Sequence, residues 1–205
     1  AFTFTRHMME YGVKSEDLAN IKVAHSNHAS NNPKALMKQR VTVEDVLNSR
    51  WIIRPVAHLF DCCLETDNAT CVIVTSAERA KDLKQKPIHI MGVQGRGTKP
   101  GGDFHYQHGP ISRVAGHYVG PRVFESAGVT HDDIDVTGCY DAFTYTVLLQ
   151  FEAYGWCKPG EGKDYVTSGV INLGGKVPNN TSGGHLCEAY THGMNMVIEN
   201  VRQLR

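Results

Sequence analysis

Two stretches of the sequence bring together residues able to move protons. The first is Tyr140-Asp141, at the carboxyl end of a predicted strand, DIDVTGCY, and the start of a predicted helix. Open α/β sheets place their ligands at that edge. The second is NNTSGGHLCEAY, a polar, glycine-rich turn that opens the last helix and carries Tyr190 within the next turn or two. Gly183 and Gly184 let a ligand approach the backbone closely, and free amides at a helix start attract negative charge. A phenol can serve as acid or base. Each of these residues also has a plain structural reading. Tyr190 falls on the apolar stripe of its helix, which by periodicity favours a core tyrosine. Tyr140 suits cross-strand packing, Asp141 a helix cap, and His185 and His192 caps or surface. Cys139 and Cys187 read as small buried hydrophobes.

The elements that would position these residues alternate between helix and strand. Residues 1–55 are helical and polar. Ser15 begins one helix with Glu16 and Asp17 in its first turn, and Thr42 begins another with Asp45 three residues on, the pattern of a capping box. Between them AHSNHASNNP is a loop by composition, and its His25 and His28 read as solvated surface before they read as metal ligands. TCVIVT, SAERAKDL and IHIMGV then predict strand, helix and strand, the helix capped by Ser76. GRGTKPGGDFHYQHG is a loop whose Arg96 and Lys99 make phosphate binding the minor option, because P-loop and dinucleotide spacings are absent. Further on, Pro121 to Ala127 predicts a short helix. DAFTYTVLLQFEAYG predicts a long one, with Phe143, Val147, Phe151 and Tyr154 at helical spacing and Gly155 as its stop. The last helix carries Leu186, Tyr190, Met194, Val197, Val201 and Leu204 along one stripe.

Composition narrows the function classes. The chain has 205 residues, of which 21 are basic and 21 acidic, so nothing electrostatic argues for nucleic acid or an anionic membrane. No apolar run reaches the ~20 residues a membrane span needs. The six cysteines form no C-x-x-C pair, so a zinc ribbon is unsupported and reduced thiols in a cytoplasmic protein are expected. The sequons at Asn68 and Asn180 are then chance matches. No metal site is indicated.

DVTGCYDAFTYTVLLQFEAYG is similar to a motif of the thiolase superfamily, approximately ELHDCFS-x-x-ELL-x-YEALG in the sterol-carrier and lipid-transfer branch. NNTSGGHLCEAYTHGMNM is similar to the branch's second motif, approximately NPSGGLISKGHPLGATG. VTVEDVLNSRWIIRPVAHLFDCC and the closing ENVRQLR add to the resemblance, which covers nearly the whole chain. It implies an α/β thiolase fold of layered αβαβα type with only the carboxyl-terminal portion present. Residues 1–90 would end the amino-terminal half, with its helical loop region, and residues 91–205 would form the carboxyl-terminal half without its last strands. Position by position, Tyr140 stands where the HDCF histidine would be and Tyr190 where the GHP histidine would be. A tyrosine, with pKa about 10, is a poor base for activating a thiolase cysteine.

Two tyrosines there are what the lipid-transfer-protein-like aldolases of this superfamily carry. The resemblance therefore implies a carbon–carbon lyase that cleaves a β-hydroxyacyl-CoA by a retro-aldol step, on a steroid side chain, giving a 17-keto steroid and propionyl-CoA. Tyr140 and Tyr190 would be the catalytic pair. Asp141, His185 and His192 would support them, and Gly183 and Gly184 would lie against the thioester arm. Coenzyme A enters only as part of the substrate. A homodimer and an OB-fold partner protein associated with an acyl-CoA hydratase are implied as well. The competing readings are a thiolase-type acyltransferase and a non-catalytic acyl-CoA-binding subunit.

Overall fold

The computed structural model describes residues 2–95 and 112–205. In chain order the helices are α1 (Phe2–Tyr11), α2 (Ser15–Ser30), α3 (Val43–Asn48), α4 (Ala77–Lys81), α5 (Gly116–Ala127), α6 (Thr144–Ala153), α7 (Gly162–Thr167), α8 (Gly184–Cys187) and α9 (Met194–Leu204). A small antiparallel hairpin, β1 (Trp51–Ile53) and β2 (Ala57–His58), lies between α3 and α4. Helix α2 is the centre, packing against α3, α6, α7 and α8. Its Leu18, Ile21 and Ala29 join Leu148 and Phe151 of α6 and Leu186 of α8 in one core from which water is excluded. Burying side chains of that size contributes roughly 1.5–3 kcal/mol each.

Local signals place several helix starts. Asp17 accepts the Lys14 backbone N–H at 2.8 Å, so the acidic first turn caps α2 from inside. Thr42 and Asp45 cap α3 reciprocally: Asp45 N donates to Thr42 Oγ1 at 3.1 Å and Thr42 N to Asp45 Oδ2 at 2.8 Å. Ser76 Oγ accepts the Arg79 N–H at the head of α4. Gly155, at φ +83°, ends α6. Helix α5 starts five residues before the expected Pro121, which lies inside it. Gly116 and Gly120 explain the longer helix, because a Cβ at either would stand 2.9–3.1 Å from Ala153 or Tyr154 of α6. Two glycines four apart give α5 a flat side on which α6 rests.

Several expectations fail. The predicted strands at 70–75 and 88–93 are extended but lie in no ladder, and Ile73, Val74, Ile90 and Val93 are exposed. Alternation specifies an extended backbone, whereas a strand also needs a partner edge. The segment before Tyr140 likewise has one isolated parallel bridge, Thr137 with Asn179. The last helix is not continuous: the chain breaks between α8 and α9, with His192 at φ +55° and Gly193 at φ +96°. Tyr190 sits in that break, off the apolar stripe. The glycine-rich stretch with Arg96 and Lys99 lies outside the described residues. All six thiols are free, and Cys139 and Cys187 are buried as expected. Among the described residues no helix is long and apolar enough to cross a membrane.

The largest departure is AHSNHASNNP, which is helix through Ser30, and its His25 and His28 are fully buried. Polar composition there reflects groups with partners inside the protein. His28 Nδ1 meets Asn180 O at 3.3 Å, while its Nε2 has no partner among the described residues. Burial foremost, then the neighbouring His25, lowers the His28 pKa to about 4. The unfolded chain therefore binds a proton that the folded one refuses between about pH 6.5 and 4. Stability from this residue is present above that window and is lost as pH falls through it, by up to ~3 kcal/mol at about 1.36 kcal/mol per unit. Denaturant unfolding at pH 7 and pH 4.5 should show a smaller acid loss for His28→Gln than for wild type. Equal losses in both would refute this origin.

Candidate active site

Tyr140 and Tyr190 are each held by a reciprocal side-chain clamp on their own backbone. Gln150, on α6, accepts the Tyr140 N–H at 3.0 Å and donates to the Tyr140 carbonyl at 2.8 Å. Thr66 accepts the Tyr190 N–H at 2.9 Å, and both Thr66 and Asn68 donate back to the Tyr190 carbonyl. These clamps satisfy the backbone groups of two residues outside any helix or strand.

So held, the two phenolic hydroxyls hydrogen-bond directly to each other, with ring centroids 6.2 Å apart and the rings nearly perpendicular. The His185 ring packs against both, at 4.9 Å from Tyr140 and 4.5 Å from Tyr190. Tyr190 OH has a second partner in His192 Nδ1 at 3.2 Å. His192 is exposed, and its left-handed backbone is uncommon for a residue with a side chain. That conformation aims the imidazole back at the phenol. Tyr140 OH has Tyr190 as its sole partner among the described residues. Burial first, then the bond to Tyr190, raises its pKa well above the usual tyrosine value. Tyr140 is thus the member that keeps its proton.

Asp141 lies beneath the pair with no access to solvent. Its Oδ1 accepts the His185 backbone N–H at 2.9 Å, and its Oδ2 accepts that of Leu186 at 3.3 Å, at the head of α8. His25 Nδ1 stands 3.0 Å from Oδ2 and His185 Nδ1 stands 3.2 Å from Oδ1. Neither Nδ1 forms a hydrogen bond there, so these are close electrostatic contacts. Burial pushes the Asp141 pKa up, but the bond and charge of His25, then His185, bring it below the ordinary value, so it remains a carboxylate.

The proton inventory follows from the partners. Asn179 Nδ2 donates to Thr137, which leaves Asn179 Oδ1 as acceptor for His25 Nε2 at 3.0 Å. His25 Nε2 is therefore the donor in that bond, and its Nδ1 faces the Asp141 carboxylate. His185 Nε2 accepts the Gly193 N–H at 2.9 Å, so its proton is on Nδ1 and the ring is neutral. Burial foremost lowers the His185 pKa, in the same sense. Through His185 and Gly193 the carboxylate reaches the loop that carries Tyr190 and His192.

The five titratable candidates from the sequence, Tyr140, Asp141, His185, Tyr190 and His192, therefore meet in one place. At Gly183 and Gly184 the space a Cβ would need is filled. Their close approach is taken by protein: a Cβ on Gly183 would stand 2.6 Å from Ala29 Cβ, and one on Gly184 would collide with the Asp141 carboxylate. Sequence reasoning missed His25, Asn179, Gln150 and Thr66. A signal for His25 existed, since Leu18, Ile21, Lys22, His25 and His28 share one face if the capped helix at Ser15 runs on. Among the described residues no group of histidine, cysteine, aspartate and glutamate is arranged to hold a metal. The buried carboxylate gives a direct test. Asp141→Asn removes the charge that the two α8 amides and both imidazoles face, and should lower unfolding stability by about 3–5 kcal/mol. A loss below about 1 kcal/mol would refute this role for the carboxylate.

Known proteins share this arrangement of chain and fold. The family model for the thiolase C-terminal domain-like family matches residues 105–205. Over 98% of its length the chain is 42% identical to the 17-hydroxy-3-oxo-4-pregnene-20-carboxyl-CoA lyase of Mycobacterium tuberculosis. It is 43% identical, also over 98%, to the steroid side-chain-cleaving aldolase of Thermomonospora curvata. It spans about half of each relative, 52% in both cases. A solved Ltp2-ChsH2(DUF35) aldolase superposes with a TM-score of 0.89 at 38% identity, covering 98% of this chain and 53% of that one. Residues 105–205 thus match the thiolase C-terminal domain-like family, and the chain is similar along nearly its whole length to steroid side-chain-cleaving aldolases of thiolase type.

Proposed function

We propose that the protein cleaves a carbon–carbon bond of a β-hydroxyacyl-CoA by a retro-aldol reaction, the substrate being a steroid with a shortened side chain. The observation that carries this reading is the direct hydrogen bond between the Tyr140 and Tyr190 hydroxyls, at the two positions where thiolases keep imidazoles. The relatives named as a steroid carboxyl-CoA lyase and a steroid side-chain-cleaving aldolase support it.

The reaction asks for one proton to leave the β-hydroxyl and one to arrive at the α-carbon. Tyr190, as phenolate, takes the hydroxyl proton. The bond between the α- and β-carbons breaks, its electron pair passes into the thioester as an enolate, and a ketone forms at the β-carbon. Tyr140 then protonates the α-carbon. One proton has been taken up by Tyr190 and one lost by Tyr140, so transfer across the bond between the two hydroxyls restores the starting state. No water, oxidant or external acid enters the balance, and a 17-hydroxy substrate gives a 17-ketone and propionyl-CoA. His192 Nδ1, on the surface side of Tyr190, supplies the route by which the base is first ionised.

A thiolase-type transfer fits less well, because a phenol, a poor base for activating a cysteine, stands at each position where that chemistry uses an imidazole. Coenzyme A is required only as part of the substrate. The free thiols suit a reducing, cytoplasmic compartment. A homodimer with a ChsH2-like partner, the OB-fold protein implied by the sequence resemblance, is the assembly we propose, by analogy with the solved aldolase.

The test uses the full-length protein with its partner and a 17-hydroxy steroid carboxyl-CoA, with products followed by mass. Tyr140→Phe and Tyr190→Phe should each lower kcat by about 10²–10⁴-fold, the range for loss of a general acid or base. Near-normal turnover in either variant would end the proposal.

A further inference from the structure

A cavity of about 410 Å³ borders Tyr140. Its size falls within the roughly 300–1,000 Å³ of small-molecule sites. Phe4, Val56, Ala57, Ala142, Tyr145 and Leu149 are among its walls, and most of the lining is hydrocarbon. The rings of Phe4 and Tyr145 stack at 4.4 Å, a rigid side that does not fold inward to fill the space. Ile53 and Phe143 also line it while 43% and 45% exposed, so the cavity communicates with the surface beside them.

The polar groups on its walls are already committed. Thr144 Oγ1 donates to Asp61 Oδ1 at 2.6 Å, and Asp61 Oδ2 accepts the His58 N–H. Tyr145 OH donates to the Thr3 carbonyl, Thr146 Oγ1 to the Tyr140 carbonyl, and the Gln150 amide is held by the Tyr140 backbone. Breaking any of these to bind a ligand would leave a buried polar group unpaired. The cavity therefore recognises shape and hydrocarbon, and has nothing to offer a nucleotide or a pantetheine amide.

We infer that this cavity seats the fused-ring hydrocarbon body of the substrate, placing the reacting carbons at the Tyr140–Tyr190 pair. The inference rests on the proposed function for the identity of the reacting end, and it adds a specificity site separate from the proton-transfer pair. A rigid ring skeleton loses little conformational freedom on entering a preformed space, whereas a flexible acyl chain loses a good deal.

The experiment takes the full-length protein with its partner and titrates androstenedione, a steroid ketone without coenzyme A, by calorimetry. Wild type should bind it. Ile53→Trp, at a part-exposed wall position, and Ala57→Phe, on β2, should each weaken binding about tenfold or more, which is about 1.4 kcal/mol. The same variants should alter kcat/KM by less than about twofold for a short β-hydroxyacyl-CoA without rings, a margin of roughly 0.4 kcal/mol. Absence of binding by wild type, undiminished binding by both variants, or equal losses on ringed and short substrates would each overturn the inference. Active Tyr→Phe variants would remove the retro-aldol reading while leaving androstenedione binding in place, so the two failures are distinguishable.

Discussion

The Asp141 carboxylate, out of reach of water, is shared by the amino end of α8, the His25 ring of α2 and the His185 ring. An ion in such a place is tolerable only when its partners stand where they do, because an unpaired buried charge costs several kcal/mol. Three pieces of chain far apart in sequence are thereby tied to one another. Tyr140 is the residue before Asp141, and Tyr190 hangs from the loop that His185 holds through Gly193. The carboxylate thus sets the distance between the two phenols without touching either.

This arrangement also accounts for the glycines. Gly183 and Gly184 adopt φ values of +104° and +61°. That lets the turn bring the α8 amides onto the carboxylate while passing against Ala29 of α2. The polar, glycine-rich turn that looks like a ligand cradle in the sequence is an internal one, with Asp141 as its anion. On the proposed function, substrate would meet the side of the phenols facing His192 and the apolar cavity beside Tyr140. On that reading the phenols carry proton transfer and the cavity walls carry hydrocarbon recognition, with Tyr140 common to both.

Much of this was legible in the sequence, and what escaped has a common cause. The caps of α2, α3 and α4 depend on residues within three positions, so Asp17, Thr42 and Ser76 announce them directly. The tyrosine pair was legible by comparison, since a phenol in two imidazole positions is a conspicuous departure. His25 and His28 were read as solvated because their partners, Asp141, Asn179 and Asn180, lie more than a hundred residues away. The predicted continuous last helix overlooked His192, whose left-handed backbone has no local composition signal beyond the glycine after it. At 70–75 and 88–93 the alternation gave an extended chain, but pairing depends on another edge and is invisible in the segment itself. Local chemistry reads well from sequence, and chemistry completed by distant residues does not.

The central claim is that the two hydroxyls act as one proton-exchanging unit, and a double-mutant cycle measures this most directly. kcat/KM for cleavage would be compared in wild type, in the two single phenylalanine variants and in Tyr140→Phe/Tyr190→Phe. For a unit, the double variant should be impaired about as much as the worse single one, since either removal breaks the same exchange. Losses that multiply, each phenylalanine adding its full effect to the other, would show two independent groups and contradict the account.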